Sequence, residues 1–264
     1  MDASPYPDFE IEERTYRGET RQVFRQGEGP AVIVIHEVPG LYPAVAEFGR
    51  LVVQAGFTVY MPSLLGAPGR PFGPRYVLSS ITRACIAREF TVFATRERSP
   101  ITDWLRELAR DAHGECGGPG VGAVGMCLTG GFALAMMVDE RMLAPVLSQP
   151  SLPFGILPRQ RRDLGVDDDM LARIRERTAA GACVMGLRFT HDRMVPPERF
   201  QRLRQELGDA FIAVEIDSSP GNPHRVPWYS HSVLTRDLVE SPEHPTYAAR
   251  ERVMAFFNER LRPA

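Results

Sequence analysis

A chain of 264 residues, 44% of them hydrophobic, is long enough to bury a large core as one α/β domain over residues 1–264. Its 31 basic and 33 acidic residues leave a net charge of -2, with no block of like charge long enough to make a nucleic-acid surface, so nucleic acid is not an expected partner. Every basic residue is Arg, which excludes lysine chemistry such as a Schiff base or a P-loop lysine.

Met1 to Phe9 lacks a charged-then-apolar leader pattern, and no apolar run approaches the ~20 residues of a membrane span. The expectation is a soluble, cytoplasmic protein without a membrane partner. Four cysteines (Cys85, Cys116, Cys127, Cys183) are scattered with no C-x-x-C pair, which suits reduced thiols better than disulfides or a zinc site. Cys183 reads as strand core and Cys116 as part of a Gly-rich loop.

In chain order, Phe9 to Thr15 and Arg21 to Phe24 alternate as two short edge strands around a turn at Gly18. Ala31-Val-Ile-Val-Ile35 is a β-branched run typical of a strand buried on both faces, and it ends at His36-Glu-Val-Pro-Gly40. A helix over Ala44 to Ala55 stops at Gly56, and Phe57 to Met61 is the next strand. Pro62 to Pro74 is rich in Pro and Gly, Arg75 to Arg88 reads as a helix, and Glu89 to Arg98 resists assignment. The stretch 66–98 is too long for a simple connection and reads as an insertion or lid. Ser99-Pro100 opens a helix that stops near Gly114.

Val121-Gly-Ala-Val-Gly-Met126 then reads as a buried strand, and Phe132 to Val138 as a helix, so Cys127 falls where strand turns into helix. A side chain on such a turn is lifted out of the sheet, and Gly125 and Gly130 let the two elements pass closely. The helix aims unpaired N–H groups and its positive dipole end at the thiol, a field that favours thiolate. The competing reading is an inert buried cysteine.

Further strands over Met142 to Ser148, Ala182 to Phe189 and Ala210 to Ile216 alternate with helices from Asp167, over Pro197 to Leu207, and over Pro245 to Leu261. The loop Gln149 to Pro158, with three prolines, should border the pocket. The fold class is therefore α/β: a mostly parallel central sheet with helices on both faces, ligands binding at the carboxyl ends of its strands. His36-Glu37, Cys127 and His191-Asp192 all fall at such ends.

A thiol nucleophile needs a base, and imidazole has the matching proton affinity. His231 and His224 lie in the same loop before the last helix, and either can reach over the turn. Asp192, after the strand ending at Phe189, is placed to orient that base, although a plain turn aspartate would look the same. The chain order nucleophile, acid, histidine is that of α/β-hydrolases.

With these residues in view the chain resembles the dienelactone hydrolase family of α/β-hydrolases. The resemblance rests on Glu37 after the Val-Ile-Val-Ile strand, Gly125-Met-Cys127-Leu-Thr-Gly130, Asp192, His231-Ser232, and a closing helix from Pro245 to Phe257. It implies a Cys127, His231, Asp192 triad and an oxyanion hole from the backbone N–H groups of Leu128 and Val38. It also implies that Glu37 interacts with the resting thiol and helps to control its activation; a carboxylate merely satisfied by nearby N–H groups is the alternative. Two departures stand out: Thr129 occupies a position where the family has glycine, and 66–98 exceeds the compact members. Family members bind a substrate carboxylate through arginines, for which Arg83, Arg88 and Arg236 are candidates here.

The function expected is hydrolysis of a small ester or lactone, of carboxymethylenebutenolidase type, through an acyl-thioenzyme, with no metal or organic cofactor, in a monomer or homodimer. A catalytically silent scaffold that binds a ligand or partner, and an acyltransferase or thioesterase with the same triad, are the alternatives.

Overall fold

The computed structural model describes residues 4–86, 99–155 and 157–262, apart from the side chains of 81–86. Its centre is a sheet in the order β1-β2-β4-β3-β5-β6-β7-β8. The strands are β1 (Glu10–Tyr16), β2 (Glu19–Gln26), β3 (Ala31–Ile35), β4 (Thr58–Pro62), β5 (Val121–Met126), β6 (Met142–Ser148), β7 (Val184–Phe189) and β8 (Phe211–Ile216). β1 and β2 form an antiparallel hairpin, β2 pairs antiparallel with β4, and β4 through β8 run parallel. The structure thus corrects one expectation: β1 is an edge strand, but β2 lies between β1 and β4 and is paired along both edges.

The helices are α1 (Pro43–Gln54), α2 (Pro74–Ile86), α3 (Pro100–Cys116), α4 (Gly130–Met136), α5 (Pro158–Arg161), α6 (Asp168–Ala179), α7 (Pro197–Leu207) and α8 (Pro245–Leu261). They split into two layers because the β residues alternate in direction. Val32 and Val34 of β3, with Val124 of β5, face a core built with Phe48 and Val52 of α1 and Val253 and Phe257 of α8. Ala31, Ile33 and Ile35, with Ala123, face the other core, where Trp104 of α3, Phe132 of α4, Ile174 of α6 and Phe200 of α7 pack. This is the mostly parallel sheet with helices on both faces expected from the alternating pattern.

The chain leaves β3 towards β4 on one side and eventually towards β5 on the other, so strand order reverses between β3 and β5. Their carboxyl ends form the crevice in which such sheets hold ligands. Glu37 and Val38 follow β3, and Cys127 follows β5, so both fall there.

Local differences have physical causes. α3 runs on to Cys116 and stops at Gly117, whose φ of 67° no longer continues a helix, so Cys116 is helical and its sulfur lies 3.5 Å from the Tyr60 hydroxyl. Cys183 precedes β7 and is half-buried, its sulfur contacted by the Arg260 guanidinium, so it is not strand core. α2 accounts for most of the helix expected over Arg75 to Arg88, whereas Glu89 to Arg98 lies outside the described residues. No helix among the described residues is long and apolar enough to cross a membrane.

Candidate active site

Cys127 is the first residue of a one-turn 3-10 helix (Cys127–Thr129) that joins β5 to α4. Its φ of 56° is left-handed, a conformation that costs a non-glycine residue roughly 1–2 kcal/mol and marks a forced turn. The turn is tight because of its glycines. A Cβ on Gly125 would come within 2.2 Å of the Thr129 carbonyl oxygen, and one on Gly130 within 2.6 Å of Pro150 Cα. The Cys127 carbonyl accepts from the Ser151 N–H at 2.9 Å, which ties the turn to the loop after β6.

Asp192, on the turn after β7, is almost fully buried. Its Oδ1 accepts from the Met194 N–H at 2.9 Å, and its Oδ2 lies 2.6 Å from Nδ1 of His231. The turn itself is held by Arg188, whose buried guanidinium donates to the carbonyls of Phe189 and Thr190 at 3.2 and 2.6 Å. With Nδ1–H given to Asp192, the other ring nitrogen of His231, Nε2, is buried without a regular hydrogen bond, and Cys127 lies beside the ring. Burial alone would drive the imidazole's pKa down, but the charge of the Cys127 sulfur and the hydrogen bond to Asp192 outweigh it and hold His231 well above its ordinary value. The arrangement therefore favours the imidazolium form of His231.

His224 is exposed and packs edge-on against His244, with ring centroids 6.2 Å apart, so it is His231 that meets Asp192. His191 is also exposed.

Glu37 is buried, and its carboxylate is surrounded by donors. Oε1 accepts from the hydroxyls of Tyr42, at 2.5 Å, and Thr235. Oε2 accepts from the Ser232 hydroxyl at 2.8 Å and the Gln149 amide at 3.1 Å. Burial, and then the charge of Glu37, hold the Tyr42 hydroxyl far above its ordinary pKa. These side chains take up the acceptor directions of the carboxylate.

A family model described as the dienelactone hydrolase family matches residues 15–260. The chain belongs to the dienelactone hydrolase family. It is accordingly a member of a hydrolase family, which suggests a small-molecule substrate. Among solved structures, a Klebsiella pneumoniae protein assigned as a dienelactone hydrolase is 18% identical with a TM-score of 0.64, over 95% of this chain and 99% of that one. A dienelactone hydrolase-like promiscuous phosphotriesterase from metagenomic libraries is 17% identical (TM-score 0.63, 96% and 98%). The Anabaena variabilis dienelactone hydrolase is 15% identical (TM-score 0.59, 96% and 98%). At such identities the likeness is one of fold. No curated protein sequence matches the chain.

Against the family pattern, Thr129 takes the place of a glycine without backbone strain, at φ -91° and ψ -3°. Its Oγ1 accepts from the Met126 N–H at 2.9 Å and lies within 3.1 Å of the carbonyls of Ile35, His36 and Met126. Leu128 follows Cys127 in the turn, and Val38 follows Glu37 beyond the neighbouring strand. Of the three arginines, Arg236 is exposed, donates to Asp237 at 3.0 Å and lies 5.2 Å above the Phe72 ring. Arg83 belongs to α2 with its side chain outside the described residues, and Arg88 lies outside them altogether.

Sequence reasoning missed several residues here: Tyr42, Gln149, Thr235 and Asp237. Asp237 accepts from the backbone N–H groups of His231 and Ser232 at 2.7 and 2.9 Å, and so anchors the histidine loop. Only Gln149, a polar residue directly after a buried strand, carried any signal in the sequence.

Proposed function

We propose that this chain is a carboxylic ester or lactone hydrolase that acts as a single domain with Cys127 as nucleophile. The observation that carries the reading is the 2.6 Å contact of His231 Nδ1 with Asp192, made by a histidine kept protonated beside the thiol of a left-handed turn.

The thiolate of Cys127 attacks the carbonyl carbon of the substrate, and the oxygen, now carrying the electron pair, accepts from the N–H groups of Leu128 and Val38. The imidazolium of His231 gives its Nε2 proton to the leaving alkoxide as the C–O bond breaks, which leaves an acyl-thioenzyme and a neutral imidazole. Water then gives a proton to Nε2 and attacks the thioester; the carboxylic acid departs and the thiolate–imidazolium pair is restored. Asp192 keeps the ring in one orientation throughout. Arg236, already paired with Asp237, is the candidate among the described residues for meeting a substrate carboxylate.

Replacing Cys127 by Ala is expected to abolish turnover of a p-nitrophenyl ester while leaving the fold unchanged by circular dichroism. Undiminished turnover in that variant would end the reading. Acyl transfer to an added alcohol or thiol, measured against hydrolysis, tests the acyltransferase alternative.

A further inference from the structure

We propose that Gln149 is a positioning residue for His231, an inference that rests on the hydrolase reading above. Gln149 follows β6, is fully buried, and has a left-handed φ of 36°. A buried non-glycine residue in that region is strained, and the strain persists only where surrounding bonds impose it. Here the backbone is pinned on both sides: its N–H donates to the Leu187 carbonyl at 2.8 Å, and its carbonyl accepts from the Ser151 hydroxyl at 3.0 Å.

The strained backbone sends the amide between two segments of the site. Nε2 donates to Glu37 Oε2 at 3.1 Å, while Oε1 accepts from the Val233 N–H at 3.3 Å and from the Ser148 hydroxyl. The orientation of the amide is fixed by chemistry, because a carboxylate needs a donor and a backbone N–H needs an acceptor. Val233 is two residues from His231. Glu37 in turn accepts from Ser232 and Thr235. The histidine loop is therefore held by Gln149 and Glu37 together, and tied within itself by Asp237. Because the Ser151 N–H also donates to the Cys127 carbonyl, residues 149–151 join the base's loop to the nucleophile's turn.

The geometry gives Glu37 a standing task as well. Its carboxyl group is the shared acceptor of this cradle, and a contact with the resting thiol would require one of its four donors to let go. Gln149 acts through His231 and touches no reacting atom.

The test uses the full chain with a p-nitrophenyl ester and with iodoacetamide. Gln149→Met, which keeps the bulk and removes all three hydrogen bonds of the amide, is expected to lower kcat about tenfold to a hundredfold, the scale of a misplaced catalytic group, with KM nearly unchanged. It is also expected to shift the pH profile of Cys127 alkylation, because a displaced imidazolium no longer supports the thiolate. Gln149→Glu sets two carboxylates against each other and should lose as much; adding Glu37→Gln reverses the donor and acceptor and should restore kcat towards wild type. A kcat and an alkylation profile equal to wild type in Gln149→Met would overturn the proposal, as would a double variant no more active than the two single changes combined. Where Gln149→Met does not fold, the Glu and double variants decide alone. Full activity of Cys127→Ala would instead sink the hydrolase reading itself, so the two failures are distinguishable.

Discussion

At Thr129 a β-branched residue stands where the family's turn has glycine, and its dihedral angles show that no positive φ is needed there. What the position supplies is a hydroxyl between the end of β3 and the turn at Cys127. Thr129→Val keeps the shape and leaves the Met126 N–H without this partner, so a loss of about 1–3 kcal/mol in urea unfolding is expected. Equal unfolding midpoints would mean that the hydroxyl contributes nothing. The same contrast separates legible from illegible residues. Cys127 could be read from its strand–turn–helix setting and Gln149 only from its place after a buried strand, whereas Thr235 acts through Glu37, far away in sequence, and a lone polar residue in a loop carries no mark of such a partner.

At the scale of elements, the loop between β6 and α6 depends on one side chain of α7. Arg199 is buried, and its guanidinium donates to four backbone carbonyls: Pro150 at 2.6 Å, Asp163 at 2.8 Å, Gln160 at 3.2 Å, and Pro153. Burial lowers its pKa to about 10, still far above neutral, so it stays charged. Arg199→Met would leave the carbonyls of Pro150, Pro153 and Asp163 without this donor, and a destabilisation of about 3 kcal/mol is expected on the cost of unsatisfied buried groups. Faster proteolysis within 150–163 checks it; a cleavage pattern unchanged from wild type would show that the loop holds itself. Helix and strand positions were legible from periodicity, since 3.6 and 2 are local signals. The placement of β2 inside the sheet was not, because its charged side chains suit an exposed edge equally well.

Across the whole molecule, two histidines set opposing pH limits. His36 is buried and neutral: Nδ1–H donates to the Glu37 carbonyl at 2.9 Å, and Nε2 accepts from the N–H groups of Leu64 and Leu65 at 3.0 and 3.2 Å, joining the end of β3 to the segment after β4. Burial drives its pKa down to about 4 from the ordinary 6.5. The unfolded chain therefore takes up a proton that the native chain refuses, and stability falls as pH drops from 6.5 to 4, by about 3 kcal/mol from this group. His231 has the opposite sign. Its raised pKa gives stabilisation that is fully present below 6.5 and is lost as pH rises through the folded value. His36→Gln, which keeps an acceptor without a titrating ring, should flatten the acid limb of urea midpoints between pH 6.5 and 4.5; parallel losses in both proteins would rule His36 out as its source.

The sequence by itself determined the parallel sheet, the helices on both faces, and the thiol between strand and helix, because hydrophobic period and turn chemistry are written in neighbouring residues; the family was legible from its motifs. Only the tertiary structure decided that His231 rather than His224 meets Asp192, and that Glu37 is enclosed by donors from three other segments. Those choices depend on which chain ends converge at the reversal between β3 and β5. That convergence follows from packing the whole sheet, and no local run of residues encodes it.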